Sequence, residues 1–363
     1  MPAIELQHVT KRFGSVTAVE DVNLKVEDGE YVTLLGPSGC GKTTIVKMIA
    51  GVYEPTEGRV LIDGKDMGGV QAYERDVGYV FQNIAVFPHM TAVQNASYSP
   101  LVKGLGLTKA REIARDALCK VRLDAYEHEM PSALSSGTQQ KVGIARALAS
   151  GARIIIFDEP LSALDARVRL ALRYELRRYA KELGLTTIHV THDQEEAMAV
   201  SDRILVMRAG RVMEAGTPPE LYMTPKHLFT AHFIGQMNFL HATVLDKRDG
   251  TLEIEGRKGL VIGRMKDANG FAPGDAVILA CRPELTRLVE GDGVPGTVSR
   301  TAFMGGYVRY FVRLATDEEI LVDARFDSTG INTGDEVRVA FDPGGTLLYH
   351  VPKEGLKEVL RLE

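Results

Sequence analysis

The chain has 363 residues, 45% apolar and 25% charged, an ordinary balance for folded domains facing water and too long for one core. A formal net charge of −5 leaves no basic footprint for nucleic acid as a main partner, and no apolar run approaches bilayer length. The opening "MPAIELQHVTKRFG" has no apolar leader core, and Cys40, Cys119 and Cys281 lack metal-ligand spacing; the expectation is a cytoplasmic chain of two or three domains with reduced thiols.

In chain order, the first 235 or so residues alternate short β-branched runs with longer helical patterns, as an α/β domain does. "EYVTLLG" is a continuous apolar run and predicts a strand buried on both faces. It leads directly into "GPSGCGKTT", which fits G-x-x-x-x-G-K-[ST] with Gly36, Gly41, Lys42 and Thr43. Glycines in Gly36, Pro37, Ser38, Gly39, Cys40 and Gly41 let the backbone curl until its N–H groups face phosphate oxygens. Lys42 adds a point charge at the β- and γ-phosphates and Thr43 offers a hydroxyl to Mg²⁺. Thr44 continues into the helical "TTIVKMIAG", whose positive N-terminal end also faces the anion. A chance Gly-rich turn is the plainer reading, and a buried strand before it with a helix after it argues against chance.

Residues Thr91 to Leu148 are mainly helical and form an insertion, broken by a loop around "EHEMPSALSSG". Its last part, "ALSSGTQQKVGIARALAS", begins small and polar and then carries Val142, Ile144, Ala145 and Leu148 as a helix. "ARIIIFDEP" predicts a second buried strand that delivers Asp158 and Glu159 to the carboxyl edge of the sheet. There Asp158 can hold Mg²⁺ through water, and Glu159 can orient an attacking water or accept its proton. Val168, Leu172, Leu176, Tyr179 and Leu183 recur at helical spacing, and "TTIHVTHD" predicts a third buried strand. "GTPPELYMTP" is a Pro-bounded short helix that closes this part. After "FIGQMNFL" come short alternating runs such as "DAVILAC", "YVRYFVRL" and "DEVRVAF", which predict an all-β second domain of one or more small barrels.

These motifs, in this order, resemble the ATP-binding subunits of ABC transporters, specifically those of prokaryotic solute importers. The resemblance implies a P-loop NTPase fold over 1–235, with a helical subdomain at about 85–150, and an all-β, OB-like regulatory domain of the TOBE type over 236–363. It also assigns residues. Phe13 in "KRFG" matches the aromatic that stacks on adenine, and Gln82 in "VFQN" the glutamine that touches Mg²⁺ and senses the membrane subunits. Asp165 in "SALD" matches the loop linking two ATP sites, and His192 the histidine that contacts the γ-phosphate. The family's Leu-Ser-Gly-Gly-Gln signature comes from the opposite protomer and caps the nucleotide. Here it reads Leu134, Ser135, Ser136, Gly137, Thr138, which keeps Ser135 and Gly137 but replaces a glycine and a glutamine. Either the loop tolerates the changes in an active homodimer, the reading favoured by the retained hydrolytic residues, or a paralogous ATPase is the partner.

The resemblance further implies ATP and Mg²⁺ as ligands, a second ATP-binding subunit, integral-membrane permeases, and indirectly an extracytoplasmic solute-binding protein. The chain would then lie peripherally on the cytoplasmic side of the cell membrane. Val86, Phe87 and Met90 in "FQNIAVFPHM" suit either a permease contact or a core. For the solute, the Met-Asn-Phe in "FIGQMNFL" leans towards a sugar or polyol, with polyamine or ferric iron as the alternative. A soluble ABC ATPase of DNA repair or translation would carry two cassettes, a coiled-coil insertion or a zinc hook. A mere ATP-binding switch would not need Glu159 and His192.

Overall fold

Strands β1 (Ile4–Phe13) and β2 (Val16–Val26) open the computed structural model, which describes residues 3–266, 270–326 and 330–361. β3 (Tyr31–Leu35) leads to α1 (Lys42–Ile49), followed by β4 (Glu57–Ile62), β5 (Lys65–Asp66) and β6 (Val77–Val80). Then come α2 (Ala92–Val102), α3 (Leu107–Lys120) and α4 (Ser136–Ala149). β7 (Ile154–Asp158), α5 (Ala166–Glu182), β8 (Thr186–Thr191), α6 (Gln194–Val200), β9 (Arg203–Arg208) and β10 (Arg211–Gly216) complete the first unit.

Two sheets organise this unit. One is antiparallel, in the order β2-β1-β4-β5; the other has the order β10-β9-β3-β8-β7-β6 and is parallel from β9 to β6. Every residue of β3, β7 and β8 is buried, as expected of strands covered on both faces, and in β8 this includes Thr186, Thr187, His189 and Thr191. The two-residue period of β7 divides its side chains between two cores. Ile154 and Ile156 pack with α1 and the antiparallel sheet, through Val46, Ile49, Leu6 and Leu24. Ile155 and Phe157 face the helical side, with Ala96, Leu118, Val142 and Leu172. Because β3, β8 and β7 are parallel neighbours, their C-terminal ends emerge together, the position where open α/β sheets bind ligands.

The two compact units divide between Pro218 and Pro219, earlier than the change of sequence texture near residue 235. The reason is packing: α7 (Pro218–Met223) leads to α8 (Leu228–Phe233), whose Leu228 and Ala231 bury against Ile278, Ala280 and Tyr349 of the β-rich unit. That unit continues with β11 (Asn238–Arg248), β12 (Thr251–Gly256), β13 (Val261–Lys266), β14 (Ala276–Cys281) and β15 (Thr286–Val289). β16 (Val294–Phe303), β17 (Tyr307–Leu314), β18 (Glu319–Arg325), β19 (Glu336–Phe341), β20 (Leu347–His350) and α9 (Leu356–Val359) follow. Its strands form two antiparallel sheets, β13-β12-β11-β14-β20 and β15-β19-β16-β17-β18, around one shared core that includes Leu240, Leu279, Val312 and Val339. Among the described residues, no helix is long and apolar enough to cross a membrane.

Candidate functional site

The loop between β3 and α1 is glycine-rich because space demands it. A Cβ at Gly36 would lie 2.4 Å from the Met207 carbonyl oxygen. At Gly41, where φ is +101°, it would lie 2.4 Å from the Ala18 carbonyl oxygen. Within the loop Ser38 and Gly39 are exposed, Pro37, Thr43 and Thr44 half-buried. Cys40 is buried, which pushes its thiol up and keeps it a neutral packing group. α1 starts at Lys42 without a side-chain cap on Gly41, so its first N–H groups are offered towards the loop. Lys42 is buried, its Nζ donating to the carbonyl oxygens of Gly36 at 2.8 Å and Pro37 at 2.7 Å. The loop thus converges an ammonium group and a helix N-terminus on one concavity, the chemistry of a phosphate cradle.

Opposite it, β7 ends in Asp158, whose Oδ1 accepts from the Thr43 hydroxyl at 3.0 Å. Its Oδ2 accepts from the Tyr79 hydroxyl at 2.7 Å. Tyr79 was not recognisable from sequence: its role exists because β6 runs beside β7, with Tyr79 level with Ile156. Burial, then donation to Asp158, holds that phenol well above its ordinary range, so it remains a donor. A nearly buried carboxylate beside a threonine hydroxyl fits Mg²⁺, a hard cation held by one or two carboxylates plus phosphate oxygens and water.

Glu159 follows with φ +47°, in the left-handed region that costs a non-glycine residue about 1–3 kcal/mol. Its N–H donates to the Val190 carbonyl at 3.0 Å, and its own carbonyl accepts from the Ser162 hydroxyl at 2.9 Å. This turn aims the carboxylate where Oε2 accepts from Gln82 Nε2 at 3.0 Å and lies 3.3 Å from His192 Nδ1. One oxygen is therefore shared by residues from three separate strand ends.

The structure joins Gly36 to Thr44, Gln82, Asp158, Glu159 and His192 in one continuous site. Among the described residues, no hydrogen bond or ring contact links Phe13, Ser135, Gly137 or Asp165 to it. Phe13 is 44% exposed and meets Tyr53 edge-on at 5.3 Å, with Lys11 Nζ 5.0 Å from its ring. Ser135 caps α4, and its hydroxyl lies 2.8 Å from that of Thr138. Gly137 is buried where a Cβ would meet Val168 Cγ1 at 2.6 Å. Asp165 caps α5 by accepting from the N–H groups of Arg167 and Val168. Val86 packs partly buried on the helical core, while Phe87 is half-buried and contacts Tyr98 and Arg146.

Fold and site together define a P-loop protein that holds a nucleoside phosphate at the ends of a parallel sheet. The ABC transporter family profile matches residues 19–162, and the TOBE domain profile matches residues 279–348. The chain is 41% identical over 352 residues to the Fe(3+) ions import ATP-binding protein FbpC 1 of Rhizobium meliloti, covering 96% of this chain and 98% of that one. It is 42% identical over 349 residues to the spermidine/putrescine import ATP-binding protein PotA of Rubrobacter xylanophilus, covering 94% and 92%. Among solved structures, the ATP-binding cassette MJ0796, captured as a dimer in a post-hydrolysis state with ADP and Pi, is 33% identical. It matches with a TM-score of 0.53 over 59% of this chain and 98% of its own. The chain belongs to the ATP-binding subunits of ABC transporters, an ATP-binding and ATP-hydrolysing family, with a TOBE domain behind the ATPase cassette.

Proposed function

We propose that this subunit energises import of a small cationic solute, ferric iron or a polyamine, by binding and hydrolysing ATP beneath membrane permeases. The relatives' printed names support a cationic solute and lend no support to the sugar or polyol leaning of the sequence. The observation that carries the hydrolytic reading is the shared Glu159 oxygen, reached by Gln82 and His192 beside the phosphate loop.

In this reading the Lys42 ammonium exchanges two loop carbonyls for phosphate oxygens, a trade favoured by charge assistance. Thr43, Asp158 and Gln82 are the residues that would hold Mg²⁺, which would supply positive charge to offset that of the phosphates. Glu159 orients the attacking water and takes its proton, while His192, half-exposed beside it, faces the γ-phosphate. Phe13, with Tyr53 at its edge, offers the adenine a ring face. Ser135 and Gly137 complete the site of a second copy or a paralogue, and the Asp165 turn lies at that seam. The subunit then sits peripherally on the cytoplasmic face, with Phe87 and its neighbours offered to a permease.

The test pairs turnover with uptake. Glu159→Gln should leave ATP binding within about threefold and lower kcat at least about 100-fold, the span of lost general-base catalysis. Cells carrying Glu159→Gln should lose uptake of radiolabelled ferric iron or spermidine. Undiminished hydrolysis sinks the role of Glu159, and intact uptake of both solutes sinks the transport assignment.

A further inference from the structure

Beneath the turn that carries His192 lies a buried polar cluster that the nucleotide site does not itself use. His189 on β8 is fully buried, and its Nε2 lies 2.9 Å from Oε1 of Glu196, itself buried on α6. On the other side of the ring, Nδ1 is 2.9 Å from the hydroxyl of fully buried Tyr31 on β3. The second Glu196 oxygen accepts from the Thr191 hydroxyl at 2.8 Å. Thr191 Oγ1 in turn accepts the N–H of Asp193 at 3.0 Å, and Asp193 Oδ1 accepts the N–H of Glu196 at 2.9 Å.

These bonds close a ring, Thr191 to Glu196 to Asp193 and back, and His192 lies between two of its members, Thr191 and Asp193. The backbone on both sides of His192 is therefore tied to one residue, Glu196, whose carboxylate accepts from Thr191 and whose N–H donates to Asp193. A cavity of about 40 Å³ separates this ring from the nucleotide site, lined by Glu159, Ser162, Arg169, Thr191, His192 and Glu196. The carboxylate that anchors the turn and the one that faces His192 thus border the same space.

We propose that Glu196, hydrogen-bonded by Thr191 and in contact with His189, is a positioning residue that holds His192 against Glu159 in the nucleotide site; the proposal rests on the hydrolytic reading above. Glu196 acts as a fixed anion, not as a proton carrier. Burial alone would raise its carboxyl, but His189, the Thr191 hydroxyl and Arg173 together hold it below its ordinary range. The groups facing this pair are Tyr31 from β3, Phe157 from β7 and Arg173 from α5. A glutamine in its place has one acceptor and one donor end. It cannot accept from both His189 and Thr191, so either Thr191 loses its acceptor and the ring opens, or His189 Nε2 turns acceptor and the anion beside it is gone.

The test is a double-mutant cycle in ATP turnover of the full-length chain. Glu196→Gln should lower kcat about tenfold, as a small misplacement of a reacting group does, with KM for ATP within about twofold. His192→Ala should lower kcat at least about tenfold by itself. In the His192→Ala background, Glu196→Gln should cost less than about twofold more, because its effect runs through a side chain already removed. Thr191→Val keeps the buried charge and the volume, and should show the same coupling even where Glu196→Gln folds poorly. Losses that multiply in the double variants overturn the proposal alone. If His192→Ala leaves kcat unchanged, the hydrolytic assignment of His192 falls and this inference falls with it.

Discussion

Gly137 separates packing from chemistry in a way that can be measured. A Cβ there would stand 2.6 Å from Val168 Cγ1 on α5, whereas carbon atoms prefer about 3.5–4.0 Å, so relief requires a shift of about 1 Å. Gly137→Ala therefore has two opposed effects. Alanine inside α4 favours the helix by about 1 kcal/mol, while overpacking costs about 1–3 kcal/mol. The net change in stability should be a loss of about 0–2 kcal/mol, read from urea unfolding of the first unit. Activity should suffer more. Displacing α4 by about 1 Å moves Ser135 at its N-cap, and a misplacement of that size can cost about 100-fold in turnover. Val168→Ala removes the obstructing methyl groups, so Gly137→Ala/Val168→Ala should recover most of the turnover. It should also be about 1 kcal/mol more stable than Val168→Ala alone. Turnover and stability of Gly137→Ala equal to wild type, or no recovery in the double variant, would refute the reasoning.

The second unit offers a stability prediction at Arg282, which is 2% exposed and donates to the carbonyl oxygens of Tyr222, Ala231, Ile234 and Gln236. Arg282→Ala leaves those carbonyls without donors and should destabilise this unit by about 3–5 kcal/mol in denaturant. Arg282→Lys should not restore it, since a point charge cannot span the fork, and a loss under about 1 kcal/mol would contradict this account. In the first unit, burial opposes ionisation of Asp202, but Lys181, the Tyr31 N–H and Arg177 hold its carboxyl below the ordinary range. Because the folded value is depressed, this contribution is complete above the unfolded carboxylate pKa of about 3.9 and is lost as pH falls through the folded value. Urea unfolding between about pH 5 and pH 2 should show that loss, and Asp202→Asn should flatten it; an unchanged slope would remove Asp202 as the cause.

Much of the fold could be read directly. β3 and β7 announce themselves because strands buried on both faces read as nearly continuous apolar runs, and β8 as a β-branched run bounded by polar residues. The phosphate loop does so because backbone curvature, a buried ammonium and a helix start need particular residue types at fixed spacing. Asp158 and Glu159 could be placed at the sheet edge by their position at a strand end. The helix from Asp165, capped by that side chain, follows its apolar period.

What could not be read are the contacts between residues far apart in sequence. Tyr79 on Asp158, Gly137 against Val168, the His189–Glu196 pair and the four carbonyls around Arg282 leave no local pattern. The same holds for α8, which a change of sequence texture put before the boundary and packing put after it. Local sequence determined this protein's buried strands, its phosphate loop and its pair of strand-end carboxylates, because those depend on residue type and spacing along one stretch. The tertiary structure alone decided which side chains share an oxygen, which glycines have no room for a Cβ and which buried charges are satisfied. Those outcomes depend on strand order and helix packing, which bring together positions that no short segment contains.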